Sequence, residues 1–242
     1  MGLDLGAHRI DSIELTDVKG TESLQRFSMR AGEIVIADRA YGTRAGMNHV
    51  IRQGAYFVLR FPWTAVPLET PDGRAFSLAD ALRTLPEAGA GEFAVRFAAP
   101  DGKPVDVRLV AIRKSEPATE RARKTALRQR TKKGVAAVNI RTLELASYFF
   151  VLTNLPPDVS AESVLQLYRL RWQIEMKFKT LKSLLHLDDV AARNDQSLRV
   201  YVLAKILVAL LIDSLIDEAE SFSPWGYPIP YDQQLASDST SA

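Results

Sequence analysis

"EIVIADRAYGTRAGMNHVIRQGAYFVLRF", Glu33 to Phe61, decides the fold. Its opening, "EIVIADRAY", is a continuous apolar run of strand length that ends on Asp38. Gly46 to Gln53 has helical spacing, Gly54 ends it, and "AYFVLRF" is a second buried strand. A strand, a helix and a strand in that order predict an α/β sheet that is at least partly parallel.

Upstream, "AHRIDSIELTDV" alternates well enough for a strand, and Thr21 to Met29 reads as a short amphipathic helix. Downstream the character changes after Phe61. From Pro62 to about Ser115 the chain is rich in Gly and Pro, and "EFAVRFAA" and "PVDVRLVAI" flank the turn "PDGKP" as an antiparallel pair. A basic run follows, in which seven of the thirteen residues from Arg121 to Lys133 are Lys or Arg. "LELASYFFVLTNL" returns to a buried strand that Pro156-Pro157 stops, and Ser160 caps a long helix. Asn194 to Glu220 forms the last helix, and the Pro- and Ser-rich tail has little to bury. The expected organisation is an α/β fold made of residues 1–61 and 145–220, split by a β-rich insertion over 62–144 and followed by a loose tail over 221–242.

Composition narrows the chemistry. With 242 residues, 47% hydrophobic and 25% charged, the chain can bury a globular core. It has no cysteine, which excludes disulfides and thiolate metal sites, and three scattered histidines make no zinc cluster. Any metal is therefore held by carboxylates. The net charge of +2 is too small to argue for nucleic acid by itself, so local clusters carry that case. No secretory signal is visible at the start. Val200 to Ile216 is strongly apolar, but it contains Lys205 and Asp213 and falls short of the roughly 20 clean residues of a membrane span, so it reads as a buried helix.

The long helix carries "YRLRWQIEMKFKTLK", Tyr168 to Lys182. At about 100° per residue, Leu167, Leu170, Ile174, Phe178, Leu181 and Leu185 form one apolar stripe. Tyr168, Arg171, Glu175 and Lys182 form a second stripe beside it, at the margin of the buried face. If this helix packs on the sheet, Glu175 and Asp38 can converge at the carboxyl end of the strand, the usual mouth of an open α/β sheet. Two such carboxylates suit Mg²⁺, and Arg171, Lys182 and the Tyr168 hydroxyl suit a phosphodiester. Taken singly, a Glu among cations is commonly a solvated helix face, and an Asp at a strand end is commonly a turn residue.

The spacing of Tyr168, Arg171, Glu175 and Lys182 resembles the Tyr-Arg-Glu-Lys signature of a branch of DDE transposases from bacterial insertion sequences. "IVIADRAYG" is similar to that branch's segment around its second catalytic aspartate, with Ala40 where a Gly is usual. The likeness covers roughly Ala7 to Glu220. It implies a ribonuclease H-like mixed sheet with flanking helices that cuts and joins DNA at transposon ends, using two Mg²⁺ ions held by two Asp and one Glu. Asp38 would be the second Asp and Glu175 the Glu. Tyr168, Arg171, Lys182 and, on a weaker match, Arg60 would contact the DNA backbone. The family further implies a homodimer in a synaptic complex on transposon ends and target DNA, in the bacterial cytoplasm at the nucleoid, with no membrane.

Only 37 residues precede Asp38, too few for the family's first Asp. Asp4, Asp11 and Asp17 are poorly placed for it. The resemblance thus implies a C-terminal portion of a transposase that lacks the first strand or two. Two functions follow: a transposase, incomplete as it stands, or an inactive remnant that at most binds DNA or a transposase partner. The basic run and Trp63 or Trp172 are candidates for DNA contact, whereas His49 and His186 are ordinary residues.

Overall fold

A computed structural model of the chain describes residues 2–5, 9–12, 22–132, 140–185 and 194–221. It divides into two compact units, Thr16–Gln173 and the pair of segments Met1–Leu15 and Ile174–Ala242.

The larger unit is built on a five-stranded sheet in the order β3-β4-β7-β6-β5. β3 (Ile34–Ala37) and β4 (Tyr56–Arg60) run parallel, with α1 (Arg44–Arg52) as their crossover. Thr43 starts α1 by accepting the Gly46 N–H, and Gly54, at φ +72°, makes the left-handed turn that a side chain would oppose. β5 (Ala90–Ala98), β6 (Pro104–Arg113) and β7 (Tyr148–Thr153) complete the sheet by antiparallel pairing. The expected parallel pair and the expected antiparallel pair are both present, joined in one sheet through β7. The β4–β7 ladder is short, and the Asn154 side chain extends it: its Oδ1 accepts the Phe57 N–H at 2.7 Å and its Nδ2 donates to the Ala55 carbonyl at 3.1 Å.

The two faces of the sheet are covered unequally. On one, Phe57, Leu59, Val107, Leu109, Phe150 and Leu152 join Met47 and Val50 of α1 and Leu78 and Leu82 of α2 (Leu78–Arg83) in the main core. On the other, Val58, Val110 and Val151 pack against Val164 and Tyr168 of α5 (Ala161–Arg169). The period of two along each strand makes this sorting, since residues of opposite parity face opposite ways. Arg108 anchors the approach to α5, donating to the carbonyls of Pro156 and Val159 at 2.8 and 2.9 Å and pairing with Glu92.

Several expectations change. Of Thr21 to Met29, the described residues from Glu22 onward hold a single 3₁₀ turn, Leu24–Arg26, because the Phe27 N–H closes on the Leu24 carbonyl and the chain then extends. The basic run as far as Lys132 lies in a helix, α3 (Glu116–Lys132), and Ile140–Leu145 is a helix, α4, so the strand that follows starts at Tyr148. The long capped helix is two helices. Ser160 does cap the first, accepting the Ser163 N–H, but α5 ends at Arg169, and α6 (Arg171–Leu185) begins after a turn at Leu170. There the Leu170 and Gln173 amides bond three residues back, to Leu167 and Leu170, in place of the four-residue helical spacing.

In the smaller unit β1 (Gly2–Asp4) pairs antiparallel with β2 (Arg9–Ser12). Its α7 (Asp195–Ser221) is the expected last helix, and Asn194 Oδ1 accepts the Ser197 N–H at its start. It is not the buried helix anticipated: Val200, Leu207 and Leu215 are 63%, 58% and 64% exposed. No described helix is long and apolar enough to cross a membrane. The tail after Ser221, which ends α7, and His186 lie outside the described residues.

Candidate functional site

β3, β4 and β6 point the same way, since β7 is antiparallel to both β4 and β6. Their carboxyl ends therefore share one edge of the larger unit. Asp38 follows β3 there, where its Oδ1 accepts the Ala40 N–H at 2.8 Å and so caps the 3₁₀ turn Arg39–Tyr41. The carboxylate is exposed and makes no ion pair among the described residues. Arg60 closes β4, two residues beyond Val58 and so on the α5 face.

From Arg60 a row of rings and cations crosses to the start of α6. The Arg60 guanidinium lies 5.6 Å from the centre of the Phe149 ring, and Phe149 meets Tyr168 at 5.3 Å in a tilted pair. The Arg171 guanidinium lies 5.6 Å from the Tyr168 ring. Each cation–ring contact is worth about 0.5–1 kcal/mol when exposed, enough to hold a guanidinium without neutralising it. Tyr168 is not the marginal residue its spacing predicted. It is 6% exposed, and burial pushes its hydroxyl up against the opposing pull of Arg171 and Arg60.

Two further cations stand at this edge. Arg39 is exposed in area yet crowded enough by protein that desolvation, and then Arg60, lower its guanidinium from the ordinary range, with Asp38 opposing. An arginine does not deprotonate, so the shift reports first that the charge is poorly hydrated and second that Arg60 stands near it. Lys114, just past β6, is lowered to about 8 by burial and then by Arg60 and Arg39. Sequence spacing found neither residue. The signal available was strand parity: Asp38, Arg60 and Lys114 continue the α5-facing alternation of Ile36, Val58 and Val110.

The other sequence-predicted residues lie elsewhere. Glu175 is half-buried on α6 in the smaller unit, and Lys182 is on the same helix, its side chain outside the described residues. Trp63 is half-buried, packs against the main core and has the Arg141 guanidinium 5.8 Å from its ring. Trp172 is 55% exposed. His49 Nε2 lies 3.0 Å from the Phe27 carbonyl, an ordinary structural contact. Among the described residues no group of three or more His, Cys, Asp or Glu is placed to hold a metal ion.

Residues 16–211 match the family described as the transposase DDE domain. The chain belongs to this family. The transposase for insertion sequence element IS421 of Escherichia coli is 36% identical to it over 230 residues, covering 93% of this chain and 62% of that protein. The transposases for IS231E and IS231F of Bacillus thuringiensis subspecies finitimus and israelensis are each 25% identical, covering 81% of this chain and 43% of their own length. This DDE transposase chain thus spans less than two thirds of the curated relatives it matches. No solved structure matches it. The edge described above, with Asp38 and its cations, falls within the DDE match, as does the α5–α6 segment.

Proposed function

We propose that this chain supplies the second Asp, the Glu and the backbone-gripping cations of a DNA transposase that cleaves and joins DNA at transposon ends. The observation that carries the reading is the carboxyl edge of β3 and β4, where an exposed Asp38 stands beside Arg39, Arg60 and the Tyr168–Arg171 pair. Cations gathered at one edge suit an anion, and a phosphodiester is the anion on which this family acts.

Asp38 and Glu175 would be ligands to a divalent cation, with Mg²⁺ the natural choice for oxygen donors. Among the described residues Asp38 accepts one hydrogen bond, from a backbone N–H to Oδ1, so the carboxylate keeps lone pairs for a hard ion. When bound, such a metal pair activates the attacking water or hydroxyl and stabilises the leaving oxygen. Arg60 and Arg171 would hold backbone phosphates from opposite ends of the aromatic row, with Tyr168 fixing Arg171 and Lys182 adding a further contact. The sheet would be of the ribonuclease H-like kind, with β3 and β4 as a parallel pair within it and the β-rich stretch 62–144 as an insertion.

The test joins this chain to the part of a close relative that it does not cover and assays cleavage of transposon ends with Mg²⁺. Cleavage that is lost in both Asp38→Ala and Glu175→Ala is the expected result. Undiminished cleavage in either variant would remove that residue from the site. If the joined protein binds DNA but never cleaves, the chain is an inactive DNA-binding remnant.

A further inference from the structure

We propose that Lys114, delivered by the last strand of the 62–144 stretch, is an additional phosphate-contacting residue of this site. The inference rests on the DNA-binding reading above and assigns it a residue that neither the spacing of the motifs nor the family match singles out.

The fold brings Lys114 there in three steps. β6 runs in the same direction as β4, so its carboxyl end arrives at the same edge as Arg60. Position 114 has the parity of Val110, which packs on the α5 face, so its side chain belongs with Arg60 and Tyr168 rather than with the main core. The strand overshoots. Val110 is level with Val151, which also pairs with Arg60, whereas the Lys114 amide bonds the Ser147 carbonyl at 2.9 Å, past the end of β7. Arg60 reaches towards it, since its guanidinium lies over the Phe149 ring, level with Ile112, and the Lys114 ammonium, lowered first by burial, is lowered further by Arg60 and Arg39.

The other cations of β6 show what a purely structural role looks like. Arg108, on the same face at the other end, pairs with Glu92 and donates to three carbonyls, those of Leu155, Pro156 and Val159. Arg113, of opposite parity, lies 5.1 Å from the Tyr148 ring and donates to the Leu85 carbonyl. Lys114 donates to the Ala146 carbonyl at 2.8 Å and has no carboxylate partner among the described residues. An ammonium has three donors, so this bond leaves donors over. A half-buried ammonium facing two guanidiniums is unfavourable until an anion sits among them. A backbone phosphate meets that need, because one oxygen can accept from Lys114 while others accept from Arg60 or Arg39. The Ala146 bond then acts as a tether that aims the side chain.

The experiment uses the whole chain and a random-sequence DNA duplex, with binding measured by fluorescence anisotropy between 50 and 200 mM salt. Lys114→Gln should weaken binding roughly tenfold at low salt and reduce the slope of log affinity against log salt by about 0.9, the loss of one phosphate contact. Lys114→Arg should restore both. A folded Lys114→Gln protein with wild-type affinity and slope would overturn the proposal and leave Lys114 as a tie to Ala146 alone. If Lys114→Gln does not fold, acetylation of the wild type at pH 8 decides: DNA should shield the Lys114 amine, and equal modification with and without DNA would overturn the proposal. Absence of salt-dependent binding by the wild type would instead bring down the DNA-binding reading itself, a result distinct from a silent Lys114 variant.

Discussion

The two faces of the five-stranded sheet do different work. One is sealed by α1, α2 and the loops between them, and its aromatic and aliphatic side chains are almost wholly excluded from solvent. The other is covered by α5, and its cluster is small and runs out at Tyr168 into the cations of the carboxyl edge. A sealed face supplies stability. A partly covered one can hold Arg60 against the Phe149 ring at the edge of the cluster, which a sealed face would forbid because burying an unpaired charge costs several kcal/mol.

This contrast can be broken deliberately, first on the sealed face. Phe57→Ala should cost about 3–5 kcal/mol in denaturant unfolding, with the affinity of the remaining folded protein for DNA unchanged. On the thin face Val164→Ala removes two methyl groups and should cost about 2 kcal/mol, but it should also weaken DNA binding, since α5 carries Tyr168. Equal effects of the two variants on DNA binding would show that the faces do not differ in role. Arg60→Ala should leave stability within about 1 kcal/mol and lower the salt slope of DNA binding by about 0.9.

The smallest expected effect is on pH dependence. Lys114 titrates near 8 when folded, beside Arg60 and Arg39, and near its ordinary 10.5 when unfolded. Between those values the unfolded chain binds more protons, so this residue's contribution makes stability rise as pH increases from about 8 to 10.5. Lys114→Gln should flatten that rise in urea midpoints measured at pH 7.5, 9 and 10. An identical rise in the variant would assign it to another group.

Local pattern made much of the fold legible. The strand, helix and strand of Glu33–Phe61 were readable because apolar runs and a Gly54 stop act over a few residues, although the start of the helix, capped by Thr43, was not. The β5–β6 hairpin and the Ser160 cap were readable for the same reason. The interruption at Leu170 was not, because periodicity of 3.6 runs on through a single turn of tighter hydrogen bonding without leaving its register. Nor was the exposure of α7, since apolar composition reports a preference for burial and carries no information about which surface answers it.

The candidate site divides the same way. By itself the sequence determined the residue types and the spacing that mark the family, because Asp38 must end an apolar strand and Tyr168, Arg171, Glu175 and Lys182 must recur at helical intervals. Only the tertiary structure decided that Tyr168 is a buried support, and that Arg39, Arg60 and Lys114 gather at one edge. Those cations are far apart in the chain, and strand order and direction, which depend on the pairing of β7 between β4 and β6, bring their charges within reach of one another.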